Sequence, residues 1–390
     1  MRRREFCRGL ALAAAAGTAG RAAAWMFVEK GRMPAGVDPR PLNVIQLPLD
    51  DPRRRQNQFL PALPPDANRF TFGSDGTFTF FHVSDLHERR AAMGARERDL
   101  FARLCDRYAP SLVLMTGDNV DLRCRGLFEE TAGAVVKLFA DARLPFAVTF
   151  GNHDTESVGE GWYTAAEQWT IFRRLGGRLF VDRHDPAVIG GGASRIPILG
   201  ADGRVRFDLC LLDSGDYGRQ GFPLSAQPHF DERLARTCFD SVRAPQVKWA
   251  AQTLAGGVPT LFFQHIIVPE AQMKKKAGLF TVKAGGFGEG FGSVPPSMAR
   301  EAVYLHEGRS LYDVWRAAAN FRGAYFGHDH KNSFDGVTDD GVRLGMTKTL
   351  GSCAYNDGDL ALRMFRLHAD GSYETDILSE RHPDGTRRVG

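Results

Sequence analysis

A chain of 390 residues, 43% of them hydrophobic, can bury a sizeable core, and its length suits one large α/β domain with insertions as well as two smaller domains. The formal charge of +4 is no nucleic-acid footprint, because Arg2, Arg3, Arg4, Arg8 and Arg21 against Glu5 alone account for it and leave the remainder neutral. The six cysteines include no close-spaced set, which argues against a zinc cluster and against a disulfide framework.

The chain opens with Arg3-Arg4-Glu5-Phe6, an uncharged Ala/Gly/Leu run from Gly9 to Gly20, and Ala22-Ala23-Ala24. This resembles a twin-arginine export signal covering residues 1–24, with cleavage after Ala24. The apolar run is too short and too alanine-rich for a stable membrane anchor. The expected partner is therefore the export machinery, and the expected location periplasmic or secreted. Residues 25–69 are rich in Pro and Arg without lasting periodicity and read as a linker wrapping onto the core, with Arg53-Arg54-Arg55 as a solvated face.

The folded region begins with Phe70-Thr71-Phe72, a Gly73-Ser74-Asp75-Gly76 turn and Thr77–Val83, which together read as a hairpin. A helical pattern runs from Arg89 to Tyr108, an apolar strand covers Leu112–Met115, a second helix runs from about Leu127 to Ala140, and Phe146–Phe150 forms the next strand. Strand, helix, strand, helix, strand is the α/β signature. Further on come a strand at Leu209–Leu212, a helix near Gln246–Leu254 and a strand at Leu261–Gln264. An insertion over 268–309 carries Lys274-Lys275-Lys276 and the glycine-rich Gly285–Gly292, and is a candidate lid. A helix near Leu311–Asn320, a strand at Ala324–Phe326 and two late strands of a second sheet, Leu344–Leu350 and Leu360–Leu367, precede a loose tail over 379–390. Cys105 and Cys210 lie among apolar neighbours and read as small buried hydrophobes.

Five patches follow these strand-like runs: Asp85-Leu86-His87, Gly117-Asp118-Asn119, Gly151-Asn152-His153-Asp154, His265 and Gly327-His328-Asp329-His330. An α/β sheet carries its chemistry at such strand ends. Asp85 and His87, one residue apart, would point to one side of an extended backbone and grip one ion. Asp118 has two oxygens and could bridge two cations; Asn152 offers a carbonyl oxygen, and His265, His328 and His330 offer imidazole nitrogen to borderline metals. A single histidine is weak evidence. Five of the eleven histidines fall in these patches beside a carboxylate or amide, whereas His82, His184 and His306 do not.

The order Asp-x-His, Gly-Asp-x-x-Asp, Gly-Asn-His-Asp, His, Gly-His-x-His is similar to that of the calcineurin-like metallophosphoesterase superfamily, over residues 70–378. Leu212–Tyr217 and Gly327–Asn332 look further like the branch related to purple acid phosphatases. The resemblance implies an α/β fold of two mixed β-sheets packed as a sandwich flanked by helices. It implies two metal ions, one held by Asp85, His87, Asp118 and His330, the other by Asp118, Asn152, His265 and His328. His153 would face the phosphoryl group, with Asp154 orienting its ring. The expected activity is hydrolysis of phosphomonoesters by in-line attack of a hydroxide held between the ions. The alternatives are a phosphodiesterase acting on nucleotides or lipid head groups, and a non-catalytic metal-loaded binding domain. Asp121 stands where purple enzymes have a tyrosine ligand, and His87 where they have glycine, so no iron-tyrosinate centre is expected and the pair is left among Mn, Fe and Zn. Leu122-Arg123 replaces the Arg-Gly of protein phosphatases, so Arg123 and Arg125 read as solvent-facing. Tyr217 and Trp249 would either line the mouth or pack.

Overall fold

The computed structural model describes residues 68–120, 128–155, 165–185, 188, 192–215, 239–294 and 299–385. The signal, nearly all of the linker, Asp121, Arg123, Arg125 and Tyr217 lie outside that set. Its strands are β1 (Phe70–Thr71), β2 (Thr77–Val83), β3 (Val113–Thr116), β4 (Phe146–Thr149), β5 (Ala193–Leu199), β6 (Val205–Leu212), β7 (Thr260–Gln264), β8 (Phe280–Ala284), β9 (Phe321–Phe326), β10 (Asp335–Thr338), β11 (Arg343–Met346), β12 (Ala361–His368) and β13 (Tyr373–Ser379). The longer helices are α1 (Ala95–Tyr108), α2 (Phe128–Asp141), α3 (Ala165–Gly176), α4 (Ala244–Ala255), α5 (Pro269–Lys276) and α6 (Leu311–Ala317). No helix among the described residues is long and apolar enough to cross a membrane.

Two mixed sheets result, an eight-stranded one in the order β1-β5-β6-β7-β9-β11-β10-β8 and a five-stranded one in the order β13-β12-β2-β3-β4. The two-residue side-chain period of a strand explains how they pack. Phe80, Leu112, Leu114, Ala147 and Phe365 meet Ile196, Leu209, Leu211, Leu261 and Phe263 in one core between the sheets. The alternate residues Phe81, Val113, Met115, Phe146 and Val148 face a second core with Leu100, Leu104 and Phe139 from α1 and α2. Cys210, Leu212, Phe262 and Phe326 face a third with Val247, Trp249 and Trp315 from α4 and α6. The strands are apolar on both sides because each sheet is sandwiched on both sides. Cys210 is buried as expected and Cys105 half-buried, both as free thiols.

Two readings of the sequence are corrected. Phe70–Thr71 and Thr77–Val83 are not a hairpin: β1 pairs in parallel with β5 in the larger sheet, whereas β2 lies between β3 and β12 in the smaller one. The turn carries the chain from one sheet to the other, so that Phe70, Phe72, Phe78 and Phe80 all fill the same core from opposite sides. The two late strands do not share a sheet either, since β11 pairs with β9 and β12 with β2. The insertion is structured in its first half, as α5 and then β8, the edge strand paired with β10. Trp249 packs, with its indole N–H donating to Asp185 at 3.0 Å.

His82 shows what burial does to a histidine that has no metal to bind. Its Nε2 lies 2.6 Å from the Thr116 hydroxyl and its Nδ1 2.7 Å from that of Thr347. Burial, and then the charge of Arg363, push its pKa from 6.5 down to about 3. The unfolded chain therefore binds a proton that the native state refuses, and native stability falls as pH drops from about 6.5 toward about 3. Urea unfolding at about pH 7 and about pH 4.5 is expected to show a shallower acid loss for His82→Gln, which keeps polar ends without titrating, than for the parent chain.

Candidate metal centre

All five patches converge at one end of the sandwich. The loops after β2 and β3 zip together beyond the strands, with Asp85 N donating to Gly117 O at 3.1 Å, His87 N to Asp118 O at 2.8 Å and Glu88 N to Asn119 O at 3.2 Å. The loops after β7 and β9 join likewise through Gly327 N and His265 O at 3.1 Å. His328 N then donates to both carboxylate oxygens of Asp85, at 3.2 and 3.0 Å, which ties one sheet's loops to the other's.

The backbone here is strained. Asp85 (φ 58°), His87 (φ 42°), Asp118 (φ 50°) and His328 (φ 74°) all lie in the left-handed region, which non-glycine residues adopt at about 1–3 kcal/mol each and mainly at functional sites. This corrects the reason given for the Asp85-x-His87 spacing: the two side chains converge through two left-handed turns, not along an extended strand. Packing is equally tight at the glycines. A Cβ on Gly151 would stand 2.3 Å from Asp118 Oδ1 and 2.6 Å from His265 Nε2, so only glycine lets the third loop approach this closely.

Two sets of potential ligand atoms emerge, Asp85, His87, Asp118 and His330 in one, and Asp118, His265 and His328 in the other, each within 4.8 Å of one another and all buried. His87 Nε2 and His330 Nε2 face each other at 3.2 Å, and His328 Nδ1 faces His265 Nε2 at 3.3 Å. Nitrogens bound at about 2.0–2.1 Å to one tetrahedral zinc stand roughly 3.3 Å apart. Two of the other ring nitrogens are occupied: His265 Nδ1 donates to Thr116 O and His330 Nδ1 to Tyr355 O, both at 2.8 Å. A carbonyl only accepts, so in the neutral form that binds a metal each of these two rings would turn its Nε2 lone pair toward the pocket.

Asp118 sits between the two sets. Its Oδ2 is buried and receives no hydrogen bond, although His87 Nε2 stands 3.3 Å away and His265 Nε2 3.2 Å away. Burial pushes the Asp118 carboxyl upward, but His265, His153 and His87 together outweigh it and hold it well below the usual carboxylate range. Burial likewise opposes ionisation of Asp85, and His330 and His265 overcome it and bring its pKa to about 2. Two ionised carboxylates buried side by side require cationic compensation. With the Asp118 Oδ2 orphaned and the Nε2 atoms of His87 and His265 beside it, the cluster suits a metal site.

The remaining expected residues fall in the same place. Asn152 is fully buried beside Gly151. His153 is half-buried; its backbone N–H donates to Asp118 Oδ1 at 2.9 Å, and its ring lies 5.0 Å from that of His87. Asp154 differs from expectation. Its carboxylate takes Asn119 N at 2.9 Å, Asn119 Nδ2 at 3.2 Å and Gly151 N at 2.8 Å, so it clamps the second and third loops together and is not the partner of the His153 ring. Burial, then the charge of Asp118, push its pKa up to about 7.

The glycine-rich run is also part of the wall. Gly292 N donates to Asp329 at 3.1 Å, and the N–H groups of Gly288 and Glu289 to Asn332 Oδ1 at 2.8 and 3.0 Å. A Cβ on Gly292 would lie 2.4 Å from His328 Nε2. These bonds tie the run to the fifth patch and to Asn332 just beyond it. Phe239, whose ring is 4.2 Å from that of His328, and Tyr355, stacked on His330, complete the surroundings. Neither directly follows an apolar run, so nothing in the sequence marked them.

A family model described as Calcineurin-like phosphoesterase matches residues 78–332, more than half of the chain. The chain belongs to the calcineurin-like phosphoesterase family. A protein of Arabidopsis thaliana named probable inactive purple acid phosphatase 28 is 24% identical over 307 residues, covering 68% of each chain. Among solved structures, the NAD nucleotidase NadN of Haemophilus influenzae is similar at 10% identity and a TM-score of 0.35, covering 78% of this chain and 50% of that one. A conserved uncharacterised protein of Streptococcus pneumoniae TIGR4, described as a predicted phosphoesterase, is similar at 10% identity and a TM-score of 0.29, covering 80% of this chain and 94% of that one. The family acts on phosphate esters, and the buried Asp/His cluster supplies a site suited to its divalent metals.

Proposed function

We propose that this protein is an exported phosphomonoesterase with two metal ions, one held by Asp85, His87, Asp118 and His330 and the other by Asp118, Asn152, His265 and His328. The observation that carries the reading is the orphaned Asp118 Oδ2, equidistant within 0.1 Å from an imidazole of each set. When bound, such a pair would lower the proton affinity of a water and neutralise the oxygens of a phosphoryl group. The chain's own contribution is orientation. Thr116 O and Tyr355 O fix the tautomers of His265 and His330, and His328 N and Thr349 Oγ1 hold Asp85 by its carboxylate and its carbonyl. His153 stands beside His87 without belonging to either ligand set, which suits a proton donor to the leaving oxygen. Imidazole with carboxylate and amide oxygen is compatible with Mn, Fe or Zn. Export rests on the twin-arginine pattern of residues 1–24.

The name of the plant relative favours a second reading, a domain that binds metal and phosphate ester without turnover. Metal analysis of the mature protein, with p-nitrophenyl phosphate and its bis ester as substrates, separates the possibilities. The expected result is about two ions per chain and faster cleavage of the monoester. Faster cleavage of the diester would make it a diesterase, and a fully metallated but inert protein would establish the second reading.

A further inference from the structure

The glycine-rich run Gly285–Gly292 carries one acidic side chain, Glu289, and neither ligand set includes it. Its Oε1 accepts from Lys331 N at 2.9 Å and from the Tyr355 hydroxyl at 3.2 Å. Both donors flank His330: Lys331 follows it in the chain, and the Tyr355 ring lies almost flat on its imidazole, with centroids 4.0 Å and planes 15° apart. The Lys331 ammonium stands over the same tyrosine ring, 5.3 Å from its centroid. Glu289 is anchored in turn, because its own N–H and that of Gly288 donate to the side chain of Asn332, which is fully buried.

One hydrogen bond in a half-exposed place contributes little to global stability. Its value here is directional. His330 Nδ1 donates to the Tyr355 carbonyl at 2.8 Å, which fixes one line in the imidazole plane and leaves the ring free to roll about it. The tyrosine ring lying on the imidazole fixes the plane. Together the two contacts aim Nε2 at the pocket, where it stands 3.4 Å from Asp85 Oδ1 and 3.2 Å from His87 Nε2. Both contacts come from Tyr355, which is 54% exposed and so has little packing of its own to hold it. Its hydroxyl is held by Glu289. The histidines of the other set have different supports, Thr116 O for His265 and the ring of Phe239 for His328, so a disturbance at Glu289 reaches the His330 set first.

Resting on the two-metal reading above, we propose that Glu289 is a positioning residue: acting through Tyr355 and Lys331, it orients the His330 imidazole and so sets the affinity of the Asp85, His87, Asp118 and His330 site without altering the other. The test titrates the metal-free parent chain and its variants with Zn²⁺ in competition with a chromophoric chelator. Glu289→Ala is expected to weaken one of the two ions about tenfold, the lower end of the range for the outer partners of a ligand histidine, and to leave the other as in the parent. Glu289→Gln keeps an oxygen for both donors and is expected to bind like the parent. Tyr355→Leu, which removes the stacked ring, should weaken the same ion at least as much. In a His330→Ala background Glu289→Ala should cost nothing more, because the ring it orients is gone. Parent-like binding of both ions by Glu289→Ala overturns the proposal, and so does an equal weakening of both, which marks a general structural role. If the parent chain binds no metal, the two-metal reading fails on its own, and proton NMR of the metal-free protein still decides. The imidazole N–H signal that His330→Ala removes should persist in Glu289→Gln and be lost to solvent exchange in Glu289→Ala; its persistence in Glu289→Ala ends the orienting role.

Discussion

Replacing Asp118 with Asn is expected to abolish the paired site. The substitution preserves shape and removes one negative charge, and it exchanges the carboxylate that both ligand sets share among the described residues for an amide that binds one cation weakly and bridges none. The neighbouring histidines lose the carboxylate that counters their charge, since Asp118 is the main influence opposing burial at His265, whose pKa is held at about 9. Metal content should fall from about two ions per chain to one or none, and phosphatase activity by about 10³-fold or more, beyond the loss from one electrostatic donor. A separate readout avoids dependence on turnover. Added Zn²⁺ or Mn²⁺ should raise the Tm of the metal-free parent protein by linkage, and the Asp118→Asn variant should show a much smaller rise. Full occupancy by two ions in that variant would show that the sets are not bridged through this carboxylate.

Much of this was legible in the sequence because the strands that carry the patches are buried on both faces. Leu112–Met115 is a continuous apolar run and Phe146–Phe150 is apolar but for Thr149, and each ends in the loop that holds a candidate ligand. The ligand residues were legible for a chemical reason: few side chains bind borderline metals, and these recur at successive strand ends. What escaped has physical causes too. β8 does alternate, with Phe280, Val282 and Ala284 half-buried and Thr281 and Lys283 exposed, but five residues between a lysine run and a glycine-rich run are too short a pattern to mark a strand. The hairpin reading failed because a Gly-Ser-Asp-Gly turn is compatible with reversal within a sheet and with passage between sheets, and only the shared phenylalanine core decides between them. The role of Asp154 was misread because a carboxylate beside a histidine suggests a pair, while the backbone N–H groups that claim it belong to loops distant in sequence. Left-handed backbone at Asp85, His87, Asp118 and His328 falls on Asp and His, which are enriched there, but both types are far commoner in other conformations, so residue type alone does not locate it.

His153→Ala is expected to separate chemistry from metal binding. The contact of His153 with Asp118 is made by its backbone N–H, which the substitution keeps, and its imidazole belongs to neither ligand set. Metal content should therefore stay at the parent level, while turnover falls by about 10²- to 10⁴-fold, the scale of a positioned proton donor. The size of the fall should depend on the leaving group. A p-nitrophenolate leaves readily without a proton, whereas an alkoxide needs one as the bond to phosphorus breaks. A donor at position 153 thus predicts a loss several-fold larger for an alkyl phosphate than for p-nitrophenyl phosphate. An imidazole that only places positive charge against the phosphoryl oxygens predicts equal losses, because those oxygens are the same in both esters. Metal analysis alongside the two rate measurements distinguishes these roles from a structural one, in which occupancy would fall together with activity.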